Sequence, residues 1–275
     1  MSYKTILVHA GPSARADQIA ACAGRLAAAQ QAHVVGLAST GIRELAYQCN
    51  AAIAGVPPLP VDLSALTGAA RQALARFTDT VTGLGVPSCE ERLSDDSMSD
   101  SLILQSRYCD LVVIGQAEPS EALADTLPQE VILHCPRPVV VVPRAGRFDR
   151  IGERPLLAWD GGLAASRAIA AALPLLRRAP SVTLAVFNPG ATYGAHGEQP
   201  GADLAGYLAR HGVNVDVMVR EADDAGEGLL SLATELAADL LVMGCYGHTR
   251  LRELLLGGVT RLVLHRMTLP VLMTR

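Results

Sequence analysis

The chain has 275 residues, 50% of them hydrophobic and 18% charged, which is too apolar for a disordered protein and too often interrupted by charge for a membrane protein. A formal net charge of −4 with scattered arginines argues against nucleic acid as a partner. Neither a run of about 18 apolar residues nor a signal-peptide pattern is present, so we expect a cytoplasmic protein with no membrane partner.

Short runs of Val, Ile and Leu alternate along the chain with longer amphipathic or Ala-rich segments, which is the pattern of β-α-β units around a parallel sheet. In the first half this pattern predicts strands near residues 5–9, 33–38, 89–93, 110–114 and 138–142. A longer helical segment is predicted at 61–82, after a loop that contains three prolines.

The second half shows the same order of elements. Its predicted strands are 155–159, 181–187, 214–219, 239–243 and 270–274, and its predicted helices are 163–178, 202–211, 225–237 and 258–266. A polar stretch at 144–155, rich in charge and turn formers, separates the halves. We therefore predict two domains, residues 1–148 and 149–275.

Three sequence blocks recur in the same order in both halves. TILVHAG matches PLLAWDG (5–11 and 155–161), CDLVVIG matches ADLLVMG (109–115 and 238–244), and VILHCPRPVVVVPR matches LVLHRMTLPVLMTR (131–144 and 262–275). A tandem duplication explains this arrangement. Each half is thus predicted to be a doubly wound α/β domain with a five-stranded parallel sheet.

Ligands of open parallel sheets bind beyond the carboxyl ends of the strands, where the winding reverses. The site should therefore lie just after residues 159 and 243. The predicted strand ends at Met243 and is followed by the loop Gly244-Cys-Tyr-Gly247. After nine further residues, the last helix begins at Gly257-Gly258-Val259-Thr260. Glycines let backbone N–H groups approach an anion, and a helix start favours negative charge. Alternatively, these glycines only form a tight turn and end a helix.

The segment GCYGHTRLRELLLGGVT at 244–260 resembles the universal stress proteins in their tandem form, whose nucleotide-binding members carry G-x-x-G, nine residues and then G-[ST]. The resemblance implies ATP, with Mg²⁺ as a possible companion, held in the second half. It also implies two domains related by pseudo-twofold symmetry and packed through their last strands. Gly258 stands where the family has Ser or Thr, so one hydrogen bond to phosphate should be lost and binding weakened.

The same resemblance assigns roles to residues near the strand ends. Asp160 matches the acidic residue that faces the ribose; the alternative is that it serves only as a turn former before Gly161, but its position relative to 244–260 favours the functional role. Ala158 and Trp159 would lie beside the adenine, as would the backbone near Val186. His248 follows Gly247 directly and is expected either to touch a phosphate or to be an exposed loop residue.

The first half lacks these features. Gly115 is followed by no second glycine and by four carboxylates, Glu118, Glu121, Asp125 and Glu130, which would repel phosphate. Ala10 occupies the position that corresponds to Asp160. We therefore expect a degenerate first domain and one nucleotide site per chain.

Other chemistry-bearing residues are given structural interpretations. His134 and His265 occupy matching positions in both halves, which favours a shared structural role over catalysis. Ser166 is expected to be helical, and Asp223 and Asp224 are expected to be surface residues. The six cysteines have no metal-ligand spacing and are interpreted as small buried hydrophobic residues. The only lysine, Lys4, precedes the first strand, so no lysine-containing phosphate loop is possible.

These observations predict an adenine-nucleotide-binding stress-response or regulatory protein. Its protein partner is not identified, and a further homodimer is left open. An enzyme is less expected, since no positioned base accompanies the glycine loop and any hydrolysis would be slow and incidental. The alternative is a nucleotide-independent dimerisation or partner-binding module. A dinucleotide or flavin enzyme fits less well, because no G-x-G-x-x-G follows either first strand.

Overall fold

The structure is a computed structural model, and it describes residues 2–13, 15–51, 62–117, 126–191, 198–246 and 258–275. Ten strands are described, and each begins and ends within one residue of the corresponding predicted strand. They are β1 (Thr5–His9), β2 (His33–Ser39), β3 (Ser88–Ser94), β4 (Leu111–Gly115), β5 (Val139–Val142), β6 (Pro155–Ala158), β7 (Val182–Phe187), β8 (Val215–Arg220), β9 (Leu240–Gly244) and β10 (Val271–Thr274).

The helices alternate with the strands, and those whose bounds were predicted agree to within two residues. They are α1 (Ala16–Gln30), α2 (Ile42–Ala51), α3 (Leu63–Gly83), α4 (Met98–Gln105), α5 (Leu127–His134), α6 (Leu163–Leu176), α7 (Ala202–Arg210), α8 (Ala225–Glu235) and α9 (Val259–Arg266). In the described ranges, none of these helices is both long and apolar enough to cross a bilayer.

The chain divides into two compact units. The first comprises residues 3–115 and 123–137, and the second comprises residues 1–2, 116–122 and 138–275. β5 thus belongs to the second unit, although it lies on the first-half side of the predicted boundary near residue 148. That boundary, which rests on the polar stretch at 144–155, stays a prediction.

The sheet of the first unit has the strand order β3-β2-β1-β4, and its neighbouring strands run parallel. β1 is central and its interior residues are buried: Ile6, Leu7 and Val8 are each at most 1% exposed. Strands covered on both faces read as continuous apolar runs, which explains why TILVH and LVVIG could be assigned from sequence.

The sheet of the second unit has the order β5-β10-β9-β6-β7-β8. Its strands are parallel except for β5, which pairs antiparallel with β10 and places Val271 opposite Val141 and Met273 opposite Val139. The predicted pairing of these two apolar strands is present, and β10 is consequently paired on both sides. The α/β fold class is confirmed.

The cysteines follow the prediction only in part. Cys22, Cys109 and Cys245 are buried, and burial raises the pKa of the Cys22 and Cys109 thiols to about 12. For Cys89 the prediction is wrong, because this residue lies on the outermost strand β3 of the first unit and is exposed. Cys135 is half-buried, and the side chain of Cys49 lies outside the described residues.

His9 provides a test of the packing at the end of β1. Burial lowers the pKa of its imidazole from 6.5 to about 4. The unfolded chain therefore takes up a proton at His9 at a higher pH than the folded chain does. This contribution to the free energy of unfolding is present above pH 6.5 and is lost as the pH falls towards 4.

Between about pH 7 and pH 5, the free energy of unfolding of the parent should fall by about 1 kcal/mol more than that of His9→Gln. This value is smaller than the full pKa difference implies, because His9 is only half-buried and water screens part of the effect. Urea unfolding at both pH values measures this difference. Identical pH dependence of the two proteins would show that the ring is hydrated in the folded state.

Candidate functional site

The winding of the second unit reverses between β6 and β9. From β6 the chain continues outward through β7 and β8, and it then returns to the other side of β6 as β9. The carboxyl ends of β6 and β9, at Ala158 and Gly244, therefore adjoin each other in the sheet. This is the position at which open α/β sheets bind ligands, and it is where the sequence predicts the site.

The turn after β6 presents an exposed carboxylate. The Trp159 N–H donates to the Ala185 carbonyl at 2.9 Å, which extends the β6–β7 ladder by one bond. Asp160 follows, exposed to solvent, and its Oδ1 accepts a hydrogen bond from the Gly162 N–H at 2.8 Å. Gly161 has φ 74°, a value that favours glycine. The turn-forming role of Asp160 is thus present, and its ribose contact stays a prediction.

Gly244, at the end of β9, lies against the start of α6. A Cβ atom added at Gly244 would come within 2.2 Å of the Ala165 nitrogen and 2.5 Å of the Ala164 carbonyl carbon. Both are backbone atoms, so no rotamer change could relieve the clash. The absence of a side chain at this position is what allows the first turn of α6 to approach the sheet.

The next residues connect the end of β9 to the start of α9. Cys245 donates its N–H to the Thr274 carbonyl at 2.9 Å, and Thr260 is only 5% exposed. The Thr260 hydroxyl accepts a long hydrogen bond, 3.5 Å, from the Tyr246 N–H. Tyr246 has φ 53°, a left-handed conformation in which the chain changes direction. The first turn of α9 consequently lies beside the segment that leaves β9.

Two helix N-termini therefore contact one short segment, residues 244–246. The N-cap residues of α6 and α9 are Gly162 and Gly258, and neither helix has a side-chain cap or an acidic residue in its first turn. By contrast α8 is capped by Asp224, whose Oδ1 accepts from Gly226 and Glu227. Uncapped helix starts carry partial positive charge and favour anions.

The corresponding helices of the first half differ in charge. α1 carries Asp17 in its first turn, and α5 carries Glu130. These carboxylates offset the positive ends of their helix dipoles. The contrast distinguishes α9 from α5, whereas α6 also has a carboxylate at its start, because Asp160 accepts a hydrogen bond from the N–H of its N-cap residue Gly162. A single phosphate site in the second half stays a prediction.

The predicted site residues differ in how far the structure describes them. Gly247, His248 and Gly257 lie outside the described residues, as do the first-half acids Glu118, Glu121 and Asp125. The side chains of Met243 and Val186 are 4% and 0% exposed, so they belong to the core. Val259 is exposed, and Ala158 and Trp159 are half-buried near Asp160. The described residues contain no group of three or more His, Cys, Asp or Glu that could hold a metal ion.

Two residues that stabilise strand ends were missed by the sequence analysis. The amide of Gln116, which follows β4, donates to the carbonyls of Leu264 and His265 at 2.8 and 3.0 Å. Asn188, after β7, exchanges two side-chain hydrogen bonds of 2.8 Å with the backbone of Ala222, after β8. A polar amide directly after an apolar strand is the sequence signal for such a contact.

Three of the other polar residues lie where the sequence predicts, while a shared structural role of His134 and His265 stays a prediction. Ser166 is exposed on α6, and Asp223 and Asp224 are exposed. The ring of His134 hydrogen-bonds the Glu130 carbonyl one turn earlier in α5, at 3.0 Å, and His265 is exposed in the last turn of α9.

Comparison with known proteins identifies the family. Residues 154–275 match the model of the universal stress protein family. A curated universal stress protein of Synechocystis is 26% identical over 216 residues, which cover 75% of this chain and 72% of that protein. The crystal structure of a universal stress protein from Archaeoglobus fulgidus matches 98% of this chain and 96% of its own, with a TM-score of 0.72 at 14% identity, which shows a shared fold. Residues 154–275 therefore belong to the universal stress protein family.

Proposed function

We propose that this protein is an adenine-nucleotide-binding regulatory protein of the stress response that holds ATP in its second half. The observation that carries the proposal is the convergence of two uncapped helix starts, those of α6 and α9, on residues 244–246. Helix starts carry partial positive charge and favour anions, which supports placing a phosphate chain there. A cytoplasmic location stays a prediction.

Each part of the nucleotide has proposed contacts. The phosphates would lie against the glycine-rich segment and the start of α9, with Gly244, Gly247, His248, Gly257, Gly258, Val259 and Thr260 around them. The exposed Asp160 would face the ribose, while Ala158, Trp159 and the backbone of Val186 and Met243 would border the adenine. Any Mg²⁺ would accompany the phosphates.

A titration with ATP tests this proposal against the alternative of a nucleotide-independent partner-binding module. Mass analysis of small molecules released from the purified protein, followed by calorimetric titration, should detect adenine nucleotide and saturable binding. Absence of both bound nucleotide and calorimetric binding at millimolar ATP would favour the partner-binding module.

Gly258→Ser should improve ATP binding. Gly258 has φ −52° and ψ 158°, a backbone conformation that a serine N-cap readily adopts. The new hydroxyl would supply the hydrogen bond to phosphate that the family motif provides, worth about 1 kcal/mol or roughly five-fold in Kd. Calorimetry with ATP and with adenosine measures the difference. Equal improvement for both ligands would contradict the placement of residue 258 at the phosphates.

A further inference from the structure

β8 forms an outer edge of the second unit's sheet, and within the described ranges no strand pairs with its free side. The strand has the sequence VDVMVR, and its Val217 and Val219 are 39% and 47% exposed. An unpaired edge with exposed β-branched residues is a template for association with another strand.

The hydrogen bonds to β7 establish which backbone groups of β8 point outward. The Val182 N–H donates to the Asn214 carbonyl at 3.1 Å, and the Asn188 N–H donates to the Arg220 carbonyl at 2.9 Å. Because these directions alternate along a strand, the even-numbered residues from 214 to 220 bond to β7. Val215, Val217 and Val219 direct their N–H and C=O groups away from the sheet.

This alternation restricts how two copies of β8 could pair about a twofold axis. In an antiparallel pair, each hydrogen-bonded position must join two outward-facing residues. Because every second residue faces outward, the twofold axis must pass between one residue and the same residue of the second copy. Near the middle of β8 that residue is Val217, Met218 or Val219.

The charges select one of these three registers. With the axis at Met218, Asp216 lies opposite Arg220 of the second copy, and Val217 lies opposite Val219. The Asp–Arg pairs occupy positions that do not exchange backbone hydrogen bonds, where facing side chains approach most closely. The other two registers place Asp216 opposite Met218 or Ala222. Arg220 also contacts Glu235 of its own chain at 3.6 Å, but both side chains are exposed, and such pairs contribute little.

The outer strand of the first unit, β3, provides an internal comparison. The Thr40 N–H donates to the Ser94 carbonyl, so Cys89, Glu91 and Leu93 face outward by the same alternation. The three central registers would place the axis at Glu90, Glu91 or Arg92, so that a charged residue faces its own copy each time. Like charges directly opposite oppose pairing. Self-complementarity is therefore a property of β8 and not of β3.

We propose that β8 is a dimerisation edge that pairs antiparallel with β8 of a second copy of this chain, about a twofold axis through Met218. Val217 and Val219 would exchange N–H to C=O bonds across the interface. The Asp216–Arg220 pairs would fix the register.

Cysteine cross-linking tests the position of the axis. At Met218 the two Cα atoms would be about 4.5 Å apart, within the range that a disulfide spans. Met218→Cys should therefore form a covalent dimer on oxidation with diamide. The parent chain, which carries the exposed Cys89, gives the background, and Glu91→Cys on β3 is the matched control. Cross-linking of Met218→Cys at the level of the parent and of the control would overturn the proposal.

Charge exchange tests the register, with sedimentation velocity of the full chain as the measurement. The parent should be a dimer at about 100 µM, and Arg220→Asp should weaken it about tenfold or more by placing two carboxylates face to face. The double exchange of Asp216→Arg with Arg220→Asp should restore the dimer. A monomeric parent, or a dimer that the single substitution leaves unchanged, would contradict the proposal.

Val217→Pro distinguishes an effect on dimerisation from an effect on folding. The Val217 N–H points away from β7, so proline removes an outward donor and no bond of the sheet. We expect the variant to unfold at the same urea concentration as the parent, yet to sediment as a monomer. Val217→Thr, which keeps the N–H and the β-branched shape, should remain a dimer. A folded Val217→Pro variant that still dimerises would show that the copies associate elsewhere.

Discussion

Replacing Gly244 by alanine should lower the free energy of unfolding by about 3 kcal/mol or more. The added Cβ would fall 2.2 Å from the backbone nitrogen of Ala165, so α6 would have to move away from β9. That movement would expose part of the buried face of α6, whose Ala165 and Ala168 are at most 2% exposed. Urea unfolding followed by circular dichroism measures the loss.

Gly115→Ala is the matched control, because Gly115 is the counterpart of Gly244 in the first half. Among the described residues, the new Cβ would meet only the Ile19 side chain, whose Cδ1 would lie 2.7 Å away. The end of an isoleucine side chain can move, so the expected cost is at most about 1 kcal/mol. Equal effects of the two substitutions would show that α6 does not approach β9 as closely as described.

Gly258→Asp should abolish ATP binding while making the fold more stable. Aspartate is a favoured N-cap residue and carries negative charge at the positive end of a helix, so α9 should gain about 1 kcal/mol. The same carboxylate would face the triphosphate, and repulsion between like charges should raise the Kd for ATP by at least about a hundredfold. Calorimetry and urea unfolding measure the two effects.

Gly258→Ser separates these effects, because it also caps the helix but adds no charge. It should stabilise the fold less than Gly258→Asp does, and it should strengthen ATP binding. Both variants should therefore remain at least as stable as the parent and differ in the direction of their effect on affinity. If Gly258→Asp binds ATP as tightly as the parent, the start of α9 does not hold the phosphates.

The inner strands could be predicted because they are buried on both faces, and their apolar runs are bounded by turn formers. The location of the candidate site followed from the same pattern, since parallel winding places the ends of β6 and β9 side by side. The helix start at Val259 could likewise be predicted from the glycines before it.

The contacts that shape the site could not be predicted from sequence, because they join distant parts of the chain. The sequence suggests that Gly244 is a loop glycine. In the structure it must lack a side chain because it packs against the backbone of Ala164 and Ala165, about 80 residues away in the chain. Similarly, the Thr260 hydroxyl appears as a motif residue and is found beside the Tyr246 N–H. The periodicity and turn residues of a single sequence indicate local structure, but they do not indicate which distant backbone segments come into contact.

The predicted burial of Cys89 failed for a related reason. A cysteine in a strand is usually buried, but β3 is an outer strand with the sequence SCEERLS, and its residues are exposed or half-buried. The three charged residues at its centre indicate an edge strand, and they outweigh the preference of one small residue.

The most direct test of the proposed function is the number and location of ATP sites in the intact chain. Calorimetric titration of the parent should give one ATP per chain, and binding should be retained in Gly115→Ala and lost in Gly258→Asp. Two equal sites per chain, no binding at millimolar ATP, or binding that survives Gly258→Asp would contradict a single nucleotide site in the second half.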